Sequence, residues 1–158
     1  AKLDRTAKKI AGGRVSLHGS YIPPCAYEIS SIGELEGEVF GPVLHVIRYS
    51  AAGPDGGLNR VIEEINSTGY GLTFGIHSRL QSRIDHVCAC VRAGNIYVNR
   101  SMIGAVVGVQ PFGGMGLSGT GPKAGGPHYL TRFATELTVS NNIVASGGNV
   151  DLVSQELE

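Results

Sequence analysis

With 158 residues the chain can enclose one core but not two comfortable ones. Its 13 Lys and Arg cancel its 13 Asp and Glu, so the totals leave no electrostatic footprint for nucleic acid or for an anionic membrane. No apolar run approaches the ~20 residues that span a bilayer, the opening is polar and charged rather than a secretory signal, and Cys25, Cys88 and Cys90 fall at no metal-ligand spacing, which fits a reducing cytoplasm.

Leu3, Ala7 and Ile10 lie on one helical face and Gly12-Gly13 is a stop signal, which predicts a helix over residues 1–10. Lys2, Arg5, Lys8, Lys9 and Arg14, interrupted by Asp4, read as a solvated face of it. The chain starts without methionine and at once inside this helix, as a piece of a longer protein would. Arg14 to Ser31 is rich in turns, with Pro23-Pro24 excluding a helix. Val43 to Tyr49 suits a buried strand, and Gly53-Pro54-Asp55-Gly56-Gly57 breaks the chain.

Leu58, Val61, Ile62 and Ile65 then form one apolar helical stripe with Gly69 beyond its end. Leu72 to His77 is strand-like. Ile84, Val87, Cys88 and Val91 repeat the helical spacing, Gly94 closes that helix, and Ile96 to Val98 is another short strand. Alternating strands and helices on short connections predict an α/β fold with βαβ units and a parallel sheet. Cys88 and Cys90 on the second helix read as core thiols, and Cys25 as structural. Residues 101–127 read as loop, Leu137 to Val144 as a strand with polar interruptions. The sequons at Asn66 and Asn99 read as coincidental without a secretory signal.

Gln110 to Pro127, QPFGGMGLSGTGPKAGGP, invites a phosphate-binding reading. Gly114 to Gly119 is a G-x-G-x-x-G, and Gly116 to Lys123 approaches a P-loop. A dinucleotide fingerprint needs a strand before it and a helix opening from it. Val109-Gln110-Pro111-Phe112 is a poor strand end, and Pro122, Gly125, Gly126 and Pro127 leave no room for the helix. Proline also separates Gly121 from Lys123, and alanine replaces the magnesium-holding Ser/Thr. The remaining explanation is a loop threading between packed elements, with glycine where backbone must turn left-handed or approach closely.

Four segments together resemble the aldehyde dehydrogenase superfamily: Glu38-Val39-Phe40-Gly41-Pro42-Val43, Gly69-Tyr70-Gly71-Leu72-Thr73, Gly94-Asn95-Ile96-Tyr97-Val98-Asn99, and Pro111-Phe112-Gly113-Gly114 with Ser118-Gly119. Ser118 to Tyr129 is similar to the branch that oxidises L-glutamate γ-semialdehyde, and within it to the dehydrogenase domain of the bacterial bifunctional proline-oxidising enzymes. Met115 stands where that branch usually has Glu. The resemblance implies part of an α/β catalytic domain with βαβ units on a parallel sheet, plus a C-terminal oligomerisation strand. It divides the chain into residues 1–112 (catalytic-domain portion), 113–136 (glycine-rich return) and 137–158 (oligomerisation strand and tail).

The family's chemistry is attack of a cysteine on the aldehyde, hydride transfer to NAD, and hydrolysis of the thioester by a glutamate-activated water. The motifs for that cysteine and glutamate lie upstream by more residues than this chain has. The resemblance therefore implies no catalytic residue and no metal here, and an isolated chain that is inactive. It implies that Glu38 accepts hydrogen bonds from the nicotinamide ribose and that Phe40 packs beside the nicotinamide. It further implies that backbone N–H groups of Gly104 and Ala105 hold the substrate's α-carboxylate and that Phe112 covers its aliphatic middle. Solvated acid for Glu38 and plain core burial for Phe112 are the plainer alternatives. The implied cofactor is NAD, with FAD only where a proline dehydrogenase domain precedes this piece. The implied partners are the aldehyde, the remainder of the parent chain and further copies in a homo-oligomer, with no nucleic acid contact from this segment. The competing readings are a non-catalytic assembly module and, on the glycine string alone, a nucleotide-binding domain.

Overall fold

A computed structural model describes residues 3–15, 18–50, 57–106 and 108–146. The elements run α1 (Leu3–Thr6), β1 (Lys8–Gly12), β2 (Cys25–Glu28), a 3-10 turn (Ile32–Glu34), β3 (Val43–Val46), α2 (Gly57–Ser67), β4 (Tyr70–Gly71), β5 (Thr73–Ile76), α3 (Gln81–Cys90), β6 (Asn95–Val98) and β7 (Met115–Gly116). Two further 3-10 turns follow, at Leu130–Phe133 and Ile143–Ser146.

The predicted α/β alternation is present, and both long helices fall on their apolar stripes. The unit β5–α3–β6 is a parallel βαβ crossover, paired from Thr73↔Asn95 to Ile76↔Val98. Its core is Ile62 from α2, Ile76 from β5, and Ile84 and Val87 from α3, with Leu58, Phe74 and Cys88 at the edge. Each such aliphatic side chain, once buried, contributes roughly 1.5–3 kcal/mol. β2 and β3 are also parallel, from Cys25↔Val43 to Glu28↔Val46. The strands do not join one sheet: among the described residues they form the groups β1-β2-β3, β4-β7 and β5-β6.

Three expectations change. The helix over residues 1–10 ends at Thr6, and Lys8–Gly12 is instead a strand antiparallel to β2, with a register shift between Lys9 and Ala11. A short helix gains little against its nucleation cost, whereas the open edge of β2 offers ladder hydrogen bonds. Lys8 and Lys9 then give that outer strand the charge that discourages further pairing. β3 stops at Val46 and is not buried, since Leu44 is 60% exposed and nothing described covers its outer face. The strand expected from Leu72 to His77 is present as β5, preceded by the two-residue β4, which pairs with β7 instead. Leu137 to Val144 forms no ladder with any described residue of this chain, and Leu137, Val139 and Val144 are 86%, 79% and 82% exposed. The break from Gly53 to Gly56 and the tail from residue 147 lie outside the described residues.

Two asparagines act as backbone substitutes. Asn66, at the end of α2, donates from Nδ2 to the Cys90 carbonyl (2.9 Å) and accepts from the Arg92 N–H (2.8 Å), closing the last turn of α3. Asn99, held at φ 54°, does the same for Ser78, accepting from its N–H (2.9 Å) and donating to its carbonyl (3.0 Å). Both sequon amides are thereby engaged within the fold. Asn66→Ala is expected to cost about 1–2 kcal/mol, because it strips two backbone groups of their partner. Denaturant unfolding measures this, and a loss below about 0.3 kcal/mol would deny the clasp its role.

Candidate functional site

The glycine string is laid against β4 and β6 by hydrogen bonds from backbone and from two side chains. Leu117 N–H donates to the Gly69 carbonyl (2.9 Å), and Gly71 N–H donates to Ser118 Oγ (3.0 Å). Asn95 bridges its entrance, donating to the Pro111 carbonyl (3.0 Å) and accepting from Gly113 N–H (3.3 Å). Phe112 and Ala124 exchange both backbone hydrogen bonds, at 3.1 and 2.9 Å, so the loop closes on itself. A Cβ on Gly94 would fall on the Gly113 carbonyl oxygen, one on Gly114 on that of Ser118, and one on Gly119 on that of Gly114. Close backbone approach is therefore why glycine stands here. Lys123, the lysine a phosphate loop would offer, donates inward to the Gly94 carbonyl. Turns, not a helix, follow through Tyr129.

Glu38 lies beyond the 3-10 turn whose capping spends the neighbouring acid. Ser31 Oγ accepts from Gly33 N–H (3.2 Å), and Glu34 Oε1 accepts from the N–H groups of Ser30 (2.7 Å) and Ser31 (3.3 Å). The Glu38 carboxylate makes no hydrogen bond or ion pair with a described residue, so its lone pairs are open to a ligand. It lines a cleft of about 550 Å³ with Cys25, Tyr27 and Val43. It also lines one of about 770 Å³ that reaches Tyr70, Leu72 and Leu117. Phe40 is 96% exposed and lines neither.

On the substrate side, Gly104 (φ 73°) and Ala105 sit in the loop after β6. Gln110 ties that loop: its Oε1 accepts from Val106 N–H (3.1 Å) and its own N–H donates to the Val106 carbonyl (2.8 Å). The N–H groups of Gly104 and Ala105 bond to no described residue, which leaves two adjacent donors for an anion. Phe112 is half-buried, its backbone locked by Ala124. A third cleft, of about 840 Å³, runs past Asn95, Tyr97, Arg100, Gln110 and Lys123. Phe40, Gly104, Ala105 and Phe112 line none of these three clefts, so the structure does not bring the five predicted residues together in one of them.

Sequence reasoning passed over two buried polar atoms. His45 Nε2 and Tyr97 Oη lack a hydrogen-bond partner, and an orphaned buried group of this kind costs about 1–3 kcal/mol. His45 faces the larger Glu38 cleft, and Tyr97 the third one, under the Arg100 guanidinium at 4.9 Å from its ring centroid. Nothing in the pattern of β3 or β6 marks either. Cys88 packs at the core edge as expected, but Cys90 is exposed, because two helical residues further on it faces outward. Among the described residues no three His, Cys, Asp or Glu gather as a metal site, and no helix is long and apolar enough to cross a membrane.

The family model for the aldehyde dehydrogenase family matches residues 2–139. The bifunctional protein PutA of Rhizobium meliloti is 57% identical over 121 residues, which is 77% of this chain but 10% of that protein. A crystal structure of a mutant proline utilization A from Bradyrhizobium japonicum superposes with TM-score 0.80 at 55% identity, over 87% of this chain and 14% of that one. The 1-pyrroline-5-carboxylate dehydrogenase of Thermus, solved with bound NAD, gives TM-score 0.72 at 35% identity, over 84% and 25%. The chain thus spans a quarter or less of each relative.

Proposed function

The chain belongs to the aldehyde dehydrogenase family, and from that premise we propose that it is the C-terminal portion of an NAD-dependent dehydrogenase that oxidises L-glutamate γ-semialdehyde to L-glutamate in proline catabolism. The observation that carries this reading is the high identity to PutA, supported by the likeness to 1-pyrroline-5-carboxylate dehydrogenase. NAD, when bound to the complete protein, accepts the hydride. Glu38 holds the ribose hydroxyls with its open carboxylate oxygens, and the exposed Phe40 ring gains its packing partner at the nicotinamide. Gly104 and Ala105 donate their open N–H groups to the substrate's α-carboxylate, and Phe112 covers the aliphatic chain between.

The nucleophile and the general base belong to the preceding part of the parent, which is also this chain's first partner. A homo-oligomer is the second: Leu137 to Val144, with Leu137, Val139 and Val144 exposed, pairs as a strand with a neighbouring subunit's sheet. The assembly is cytoplasmic, makes no nucleic acid contact through this segment, and carries FAD only where a proline dehydrogenase domain precedes. The rival is an assembly module without chemistry. The parent reading frame decides between them: a coding sequence before Ala1 that lacks a nucleophile segment would leave the module.

Within the complete enzyme, Glu38→Gln is expected to lower kcat on the order of tenfold, about 1.4 kcal/mol in the barrier, with a smaller change in the Kd for NAD. The amide retains one acceptor but loses the charge-assisted pair that fixes the ribose. Steady-state rates beside NAD titration read the two quantities separately, and unchanged kcat would remove the ribose role from Glu38.

A further inference from the structure

We propose that Cys90 is a reactive thiol that exchanges with small disulfides, its proton taken by His86, whose tautomer Asn59 fixes. His86 and Cys90 are four residues apart on one face of α3, so their side chains meet. Cys90 Sγ lies 3.9 Å from His86 Nδ1, and His86 Nε2 lies 2.6 Å from Asn59 Oδ1, in the first turn of α2. An amide oxygen only accepts, so Nε2 carries the ring hydrogen. In the neutral imidazole that leaves the lone pair on Nδ1, the nitrogen facing the sulfur.

Access and rigidity separate this thiol from the other two. Cys90 is exposed, as are His86 and Asn59, whereas Cys25 is half-buried in the ladder of β2 and Cys88 packs at the core edge. The Cys90 carbonyl is pinned by Asn66 at 2.9 Å, so the last helical turn holds the sulfur in place. The arrangement therefore favours proton transfer during attack.

The reaction balances without another reagent. The Sγ–H proton passes to Nδ1 as sulfur attacks one sulfur of R–S–S–R. The S–S bond breaks, a new Cys90–S–S–R bond forms, and the departing thiolate takes the proton from Nδ1 as R–SH. The disulfide supplies all the oxidising equivalents.

The test treats the full-length protein with glutathione disulfide and reads adducts by mass spectrometry. Trypsin releases Ile84 to Arg92, which contains both α3 cysteines, and fragmentation of that peptide resolves them. The expected result is an adduct on Cys90 before Cys25 or Cys88, slowed at least about tenfold in His86→Ala and His86→Gln. Added imidazole should restore part of the rate in His86→Ala, a rescue that a purely structural role would not give. A first adduct on Cys25 or Cys88, an unchanged rate in both His86 variants, or no imidazole effect would each overturn the proposal.

Discussion

Gly94→Ala is expected to lower the thermal midpoint of this chain by roughly 6–12 °C, corresponding to about 3 kcal/mol of overpacking. Its N–H donates to the Gly71 carbonyl at 3.0 Å, and its carbonyl accepts from Lys123 Nζ. A methyl group would land on the Gly113 carbonyl oxygen, with Gly113 C at 2.8 Å and Gly114 Cα at 2.9 Å. All three atoms are backbone, and Asn95 holds that backbone from both sides of Phe112. No side chain is available to swing away, so the strand end or the string must move. Gly37→Ala is the control: a Cβ there meets nothing within 4 Å. It should stay within about 0.5 kcal/mol, as surface changes do. Calorimetry of the two variants compares them directly, and equal midpoints would remove close approach as the reason for glycine at position 94.

The chain by itself is expected to show no NAD-dependent oxidation of L-glutamate γ-semialdehyde, a loss on the order of six powers of ten, as removing a nucleophile entails. Of its cysteines, Cys88 is packed at the core edge and Cys90 stands beside His86, away from the Glu38 clefts. Cys25 is the instructive one, because it shares the smaller Glu38 cleft. It is half-buried on a strand paired on both sides, in a cleft that none of Gly104, Ala105 and Phe112 lines. A spectrophotometric NADH assay of the purified chain checks the expectation. Turnover abolished by Cys25→Ser would move the nucleophile into this chain and overturn the reading of it as a fragment.

Legibility in the sequence followed locality. α2 and α3 could be read because Leu58, Ile62, Ile84 and Val87 announce their buried face within a few residues. β1 could not, because what makes Lys8–Gly12 a strand is the edge of β2, thirteen residues beyond its end. β7 was hidden for the same reason, two residues of glycine-rich chain paired with a distant Tyr70–Gly71. At the candidate site, motifs pointed to Glu38, and the structure separates it from Glu34, which is spent as a cap. The Cys90–His86–Asn59 contact joins two helices and has no sequence signal beyond the four-residue spacing of two of its members.

The pairing of β4 with the glycine string has a consequence for the order of folding. Ser118, whose hydroxyl accepts from Gly71 N–H, follows Val98 at the end of β6 by 20 positions, which a ribosome working at about 5–20 residues per second needs roughly 1–4 s to add. Helix and hairpin steps finish in microseconds, so the β5–α3–β6 crossover can assemble while the Gly71 N–H still faces water. The string then docks as the closing segment onto a nascent surface already in shape. Variants at Gly94 or Gly114 should accordingly slow this late closure and leave the early helical signal intact.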